Sequence, residues 1–396
     1  MTEKRVLAVI HAPRWGGIHT IMERVGPVCG ELGYPWTVVL PETDGDNGAE
    51  RLRAAGLDVK TIPLRRIRKT ANPLTQLEFF ATIPLDIWRL KRLIEEGGYD
   101  IVQPCGLMHF HSAVAGRLAG APVVWQIHSD QPPALLKRVF TPMVVSMSSA
   151  VMTSGTRLVD SHPGLSRAAS KLVTFLAPVN LDRFRPDPVQ REEVRREFGV
   201  SPDDIVVGTV GGRGPNKNHG LLIKALRIAR ETDPRLKARI CGGTVEHHAA
   251  WYQKNVIDLA KSMDFDEDTV AFVDPGREVA RYMNGFDVFC LPSKGEGASI
   301  VVGEAMATGL PVIANDVGSL SDTVIDGETG FLNKTTSAEE LASLMLKLAG
   351  DATLRKAMGV RNQDFAKNVL SVEACAERHV LAYELALGKA HSILEY

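Results

Sequence analysis

Residues 292–311 read Pro292-Ser293-Lys294-Gly295-Glu296-Gly297-Ala298-Ser299-Ile300-Val301-Val302-Gly303-Glu304-Ala305-Met306-Ala307-Thr308-Gly309-Leu310-Pro311. A short apolar run, Val288–Leu291, precedes this stretch as a strand and a glycine-containing loop follows it. Ser299 is placed to cap a helix that stops near Gly309, and Pro311 opens the next strand. Glu304 is the only charged side chain in that helix, so the helix is expected to be buried nearly all round. A buried carboxylate needs partners, either a core Arg or Lys or the hydroxyls of a ligand such as a ribose. The loop amides and the helix dipole both favour a phosphate. Glu296, in the loop, is placed to reach a different part of the same ligand.

Working outward, the same strand–loop–helix order recurs in Gly208-Thr209-Val210-Gly211-Gly212-Arg213-Gly214-Pro215-Asn216-Lys217-Asn218-His219-Gly220. Gly212-Arg213-Gly214 imitates a dinucleotide fingerprint, but Lys217 stands where its third glycine belongs and no acidic residue ends the next strand, which disfavours a nicotinamide cofactor. Arg213 and Lys217 are two cations at a loop–helix junction, suited to a diphosphate or to solvent. Strands are expected near Val6–His11, Thr37–Leu40, Val59–Pro63, Ile101–Pro104, Val123–Ile127, Val151–Ser154 and Leu172–Leu176, with helical spacing in Ile18–Leu32 and in Leu74–Glu95, the latter kinked or split by Pro84. After the proline-rich linker Ala177–Pro188 the alternation restarts, with strands near Ile205–Val210, Ala238–Cys241, Thr269–Val273, Val288–Leu291 and Pro311–Asn315. The fold class is therefore α/β, with two doubly wound domains whose facing edges offer a ligand cleft.

The 396 residues carry 46 Lys+Arg and 47 Asp+Glu, a net charge of -1, which argues against a nucleic acid as partner. Five scattered cysteines with no Cys-x-x-Cys pair suggest neither a disulfide framework nor a zinc ribbon. No apolar stretch reaches spanning length, and a cytoplasmic location is expected.

The Arg213/Lys217 pair and Glu296-x7-Glu304, followed by Ala-Met-Ala-Thr-Gly-Leu-Pro-Val, resemble the retaining glycosyltransferases of family 4, which have the GT-B fold and include enzymes like glycogen and sucrose synthases. The resemblance spans nearly the whole chain, with Gly16-Gly17 after the first strand and His128 after the fifth. It implies residues 1–182 as an acceptor-binding domain, 183–371 as a nucleotide-sugar domain, and a last helix, 372–396, crossing back onto the first. It also implies that Arg213 and Lys217 neutralise the donor diphosphate, Glu304 binds the ribose, and Glu296 holds donor-sugar hydroxyls. Amides from Gly297, Ala298, Ser299 and Ile300 would help seat sugar and phosphate, Gly16 and Gly17 would let the backbone approach the phosphate or acceptor, and His128 would lie beside the reacting carbon. The implied reaction is metal-free and retaining, moving a hexose from a UDP-sugar, with GDP-mannose as rival donor, to a glycan, lipid-linked or small-molecule acceptor.

Two alternatives share this architecture: a nucleotide-sugar 2-epimerase and a donor-binding pseudo-transferase. The Arg213–Lys217 spacing is one residue shorter than the commonest family pattern, and Pro178-Val179-Asn180-Leu181-Asp182 replaces the usual Asn-Gly-Val-Asp. Asp44-Gly45-Asp46 imitates a metal motif but reads as a solvated turn. His109 and His111, two residues apart, cannot share a helical face and read mainly as capping residues, with acceptor contact as the other option. Arg65, Arg66, Arg68 and Lys69 before Phe79, Phe80 and Trp88 read as a solvated loop and core aromatics, with peripheral contact to anionic membrane as the competing reading. Oligomeric state is not legible.

Overall fold

The computed structural model describes residues 3–11, 15–42, 48–65, 73–129 and 132–390, with the backbone alone for 73–80. Asp44-Gly45-Asp46, Arg66, Arg68, Lys69 and the side chains of Phe79 and Phe80 lie outside the described residues. The chain divides into two compact units, Met1–Pro178 with Val372–Tyr396, and Val179–Ser371.

In the first unit, strands β1 (Val6–Val9), β2 (Trp36–Pro41), β3 (Asp58–Ile62) and β4 (Ile101–Pro104) stand in the order β3-β2-β1-β4. Strands β5 (Val124–Ile127), β6 (Ala150–Ser154) and β7 (Leu172–Phe175) follow in the order β5-β6-β7, and single bridges from Val102 to Val123 and from Cys105 to Gln126 join the two sets. Every pairing is parallel. Parallel strands are covered on both faces, and β1, β4 and β5 are buried along their whole length.

The crossovers are α1 (Gly17–Glu31), α2 (Gly48–Ala54), α3 (Pro73–Gly97), α4 (Phe110–Leu118) and α5 (Ala134–Met147). From β1 to β3 the chain steps one way across the sheet, and from β3 to β6 it steps the other. Right-handed crossovers therefore put α1 and α2 on one face and α3, α4 and α5 on the opposite face. The packing agrees, with α4 between α3 and α5, and the helix Val372–Ala386 against α1. That last helix is pinned to the sheet by a buried polar network. The Tyr383 hydroxyl donates to Gln103, Gln103 Nε2 donates to Gln126 Oε1 at 2.8 Å, and Gln126 meets His379 Nε2 at 3.2 Å. Contrary to the expected break, α3 runs through Pro84 as one helix. Pro84 is exposed, so the carbonyl its ring deprives of a donor can take water instead.

The second unit has strands β8 (Ile205–Val210), β9 (Leu236–Cys241), β10 (Val270–Val273), β11 (Val288–Leu291), β12 (Val312–Asn315) and β13 (Gly330–Asn333), all parallel, in the order β10-β9-β8-β11-β12-β13. Sequence reading misses β13, whose four residues follow the turn Asp326-Gly327-Glu328-Thr329 and are too few to show a period. The strand order reverses between β8 and β11, the switch point where open α/β sheets leave a crevice at the carboxyl ends of their strands. Helices α6 (His219–Arg230) and α7 (Ile300–Ala307) follow these two strands. Leu222 and Leu226 of α6 join Ile240, Ile313 and Met345 in the core beneath.

Candidate functional site: the β8 and β11 edge

Because β8 and β11 are neighbours, the loops after them meet. Asn216 ties the two loops together: its carbonyl accepts from the Lys294 amide at 2.8 Å, and its Nδ2 donates to the Gly295 carbonyl at 2.8 Å. Asn218 then turns the chain into α6 in the left-handed region, φ +52°, which Asn tolerates better than most residues. This geometry delivers Lys217 across the gap, and its Nζ lies 2.7 Å from Glu296 Oε1. The lysine stem passes over Gly211, with Cε 3.0 Å from where a Cβ would stand.

The Arg213 guanidinium sits over the rings of Tyr252 and Phe272, at 6.0 and 5.9 Å from their centroids. Its Nε is buried without a hydrogen-bond partner among the described residues. His219, also buried, bonds Tyr252 Oη through Nδ1 at 2.8 Å. Burial first, then Lys217 and Arg213, push its pKa down to about 3, so it is neutral at physiological pH. Arg213 and Lys217 thus supply the positive charge of this edge.

Ser299 occupies the N-cap position of α7, as read from sequence, but its side chain makes no capping bond. Its Oγ and that of Ser293 are buried without partners among the described residues. Of the four loop amides singled out, Ile300 already donates to Ala298 at 3.0 Å, whereas those of Gly297, Ala298 and Ser299 meet no acceptor among the described residues. The loop is held from behind. Asn315 Nδ2 donates to the Pro292 and Ser293 carbonyls at 2.8 and 3.0 Å, and Ser319 Oγ donates to the Gly297 carbonyl at 2.5 Å. Gly318 sits at φ +58°, and a Cβ there would stand 1.9 Å from the Glu296 carbonyl oxygen. Glu304 is buried on α7, its helix otherwise apolar, as read from the sequence.

The first unit presents a different group at its own strand edge. His11 follows β1, His109 and His111 open α4 after β4, and His128 follows β5. The rings of His109 and His111 lie 4.1 and 4.3 Å from that of His11, and His111 Nε2 is hydrogen-bonded to His11 Nε2. This corrects the helical-face argument: His109 is the N-cap, outside the helical repeat, so its side chain can converge with that of His111. Nor does His109 cap the helix, since its ring makes no capping bond and its Nδ1 lies 3.3 Å from the Val9 carbonyl. Burial pushes His109 down to about 3, with His111 and His128 adding to the effect, and pushes His111 and His128 down to about 4. Gly16 is extended, and a Cβ there would meet no atom of the described residues within 4 Å. Gly17 is the first residue of α1.

The family described as Glycosyl transferases group 1 matches residues 190–365, and the Glycosyl transferase 4-like domain matches residues 16–211. The D-inositol 3-phosphate glycosyltransferase of Actinosynnema mirum is 29% identical over 289 residues, 67% of this chain and 67% of that protein. The GDP-mannose-dependent alpha-(1-6)-phosphatidylinositol monomannoside mannosyltransferase of Mycolicibacterium smegmatis is 27% identical over 372 residues, 89% of this chain and 91% of the relative. This chain is a family 4 glycosyltransferase. Its fold is GT-B: the crystal structure of Anabaena Alr3699/HepE in complex with UDP and glucose matches it with a TM-score of 0.78 at 18% identity, covering 96% of this chain and 98% of that one.

Within the glycosyltransferase, sequence reasoning misses the groups that hold the site in place: Asn216, Asn315, Ser319, and the Tyr252–Phe272 bracket around Arg213. Asn216 was legible in principle, as a turn-favouring residue inside the quoted loop. The convergence of His11 with His109 and His111 also had a signal, since each follows a strand and the carboxyl ends of parallel strands share one edge. Among the described residues no helix is long and apolar enough to cross a membrane.

Proposed function

We propose that the enzyme transfers a hexose from a UDP-sugar to a hydroxyl acceptor, without a metal ion and with retention of configuration. The observation that carries this reading is the Lys217–Glu296 contact, flanked by the unpartnered Arg213 Nε and Ser299 Oγ. A diphosphate entering this edge competes for the Lys217 ammonium and releases Glu296 to turn to sugar hydroxyls. Arg213 supplies the second positive charge, with its guanidinium already oriented by the two rings. The amides of Gly297, Ala298 and Ser299 and the α7 dipole add neutral donors for phosphate or sugar oxygens, and Glu304 takes the ribose hydroxyls. From the first unit we propose His128 as the group beside the reacting carbon, and the backbone at Gly16 and Gly17 as the place that receives phosphate or acceptor.

Arg213, Lys217 and the amides stabilise the charge that develops on the leaving diphosphate. The bond between the anomeric carbon and the phosphate oxygen breaks, and the bond to the acceptor oxygen forms on the same face. The acceptor proton passes to the departing phosphate oxygen. The relatives named for inositol 3-phosphate make a phosphorylated cyclitol the first acceptor to try, ahead of glycans and lipid-linked sugars.

Lys217→Ala should fold normally, as judged by its melting curve, and lose on the order of a hundred- to a thousand-fold in transfer. Near-normal turnover would overturn the assignment. Proton NMR of the product should show the donor's anomeric configuration, and EDTA should leave the rate unchanged. A melting-temperature screen across UDP-, GDP- and dTDP-sugars should favour UDP; stabilisation by GDP-mannose alone would replace that donor with its rival.

A further inference from the structure

A cavity of about 500 Å³ opens at the amino end of the second unit's sheet, lined by residues of that unit alone. Phe286 and Asp287 line it just before β11 begins, and Pro311 just before β12. The length of β11 therefore separates it from the Lys217–Glu296 edge, which lies at the carboxyl ends of the strands. Its volume is that of a small-molecule site. Pro186, Pro188 and Pro311 form part of the wall, and Gly309 sits beside Pro186 at φ +80°. Proline fixes its own φ, so these walls need little ordering to receive a ligand.

The carboxylates that line the cavity are already engaged. Asp287 accepts from Arg191 Nη2, and its other oxygen accepts from Arg195 Nη1 and the Val206 amide, both at 2.8 Å. Asp187 caps the helix Pro188–Glu197 by accepting from the Gln190 amide at 3.0 Å. Arg191 directs Nη1 to the Asn284 and Phe286 carbonyls, at 3.1 and 2.7 Å. The first turns of the helix Ala352–Val369 supply the remaining charge. There Arg355 donates Nη1 to the Leu348 and Ala349 carbonyls and has no carboxylate partner among the described residues. Lys356 is exposed and has neither an ion pair nor a hydrogen bond through its side chain among the described residues. Three cations against two engaged carboxylates make the cavity a place for an anion rather than a cation. A phosphate monoester carries nearly two negative charges at neutral pH, which suits the adjacent Arg355 and Lys356 better than a single carboxylate does. Phe286, Leu310 and the prolines offer apolar surface for the compact body of such an ester.

We infer that this cavity is a second ligand site, separate from the donor edge, for a compact phosphate ester of sugar-phosphate size. The test is calorimetric titration of the full chain in phosphate-free buffer with UDP present, using glucose 6-phosphate, glycerol 3-phosphate, inorganic phosphate and glucose as probes. At least one ester should bind about tenfold or more tightly than inorganic phosphate or glucose. Lys356→Glu should weaken that ester about tenfold. Ala352→Trp, which fills the cavity from an exposed position, should abolish its binding; both variants should melt like the wild type. Lys217→Ala, titrated without UDP, should bind the ester as the wild type does, so the outcome is independent of the donor reading. The inference is overturned if neither ester binds, or if inorganic phosphate binds as tightly as the esters. Ester binding that UDP displaces or that Lys217→Ala loses would place the ligand at the donor edge and overturn it too. So would wild-type ester affinity in both Lys356→Glu and Ala352→Trp.

Discussion

At the carboxyl edge of β8 and β11 the candidate groups are charged and tied to one another, whereas at the corresponding edge of β4 and β5 they are buried imidazoles held neutral. The contrast follows from what each edge has around it. Lys217 and Glu296 pair across a gap of 2.7 Å in a mostly buried place, where each offers the other a counter-charge. The rings of His109 and His111 lie 4.1 and 4.3 Å from that of His11, and burial disfavours a proton on His109 and His111. One edge is poised to exchange its internal ion pair for an anionic ligand; the other offers neutral donors and acceptors suited to hydroxyls.

The sharpest way to break this comparison is to dislodge the charged edge from behind. Gly318→Ala places a Cβ against the Glu296 carbonyl at a left-handed φ. The loop must shift, and transfer should fall about a hundredfold, with stability lower by about 1–3 kcal/mol. Steady-state rates and a denaturant titration measure both, and an unchanged kcat/KM would mean that the position of Glu296 does not matter. A smaller effect is expected from Asn216→Ala, which removes the side-chain bond to Gly295 and leaves the backbone bond to Lys294 in place. The donor KM should rise roughly five- to tenfold with kcat nearly unchanged, about 1 kcal/mol of lost ordering. A fall in kcat at constant KM would show that Asn216 acts in the chemistry.

The mildest test addresses the neutral edge. The folded pKa values of about 3 and about 4 for His109 and His111 lie below the ordinary value of 6.5, so the unfolded chain binds more protons as pH falls. Their contribution to stability is fully present above pH 6.5 and is lost as the pH drops towards 4, on the order of 1 kcal/mol per pH unit for each histidine. His111→Gln should flatten the decline of melting temperature over that window. Parallel pH profiles for variant and wild type would show that His111 is not held neutral.

Legibility tracked how local each feature is. The strand runs Ile101–Pro104, Ile205–Val210 and Val288–Leu291 agree with the structure to the residue, because a strand buried on both faces reads as a mostly apolar run, with Gln103 and Thr209 as the buried polar exceptions. The strand Gly330–Asn333 escaped, since four residues after a turn show no periodicity. The loop between Pro292 and Ser299 was readable as a loop with a cap position, but the expected capping bond is absent and Ser299 Oγ has no partner among the described residues. No local rule foresees that, because the position of the hydroxyl depends on Asn315 and Ser319 holding the loop from other elements. The same holds for His109, whose role as N-cap depends on where α4 begins.

By itself the sequence determined the two rounds of alternating strands and helices, the cation-bearing loop after one strand and the carboxylate-bearing loop and helix after another. Each of these follows from burial and turn chemistry acting over a few residues. Only the tertiary structure decided that Lys217 meets Glu296, that Tyr252 and Phe272 bracket Arg213, and that histidines a hundred residues apart form one cluster. Those meetings depend on β8 lying between β9 and β11, on β10 lying beside β9, and on β1 lying beside β4. Strand order is set by packing across the whole sheet, which no short window of sequence contains.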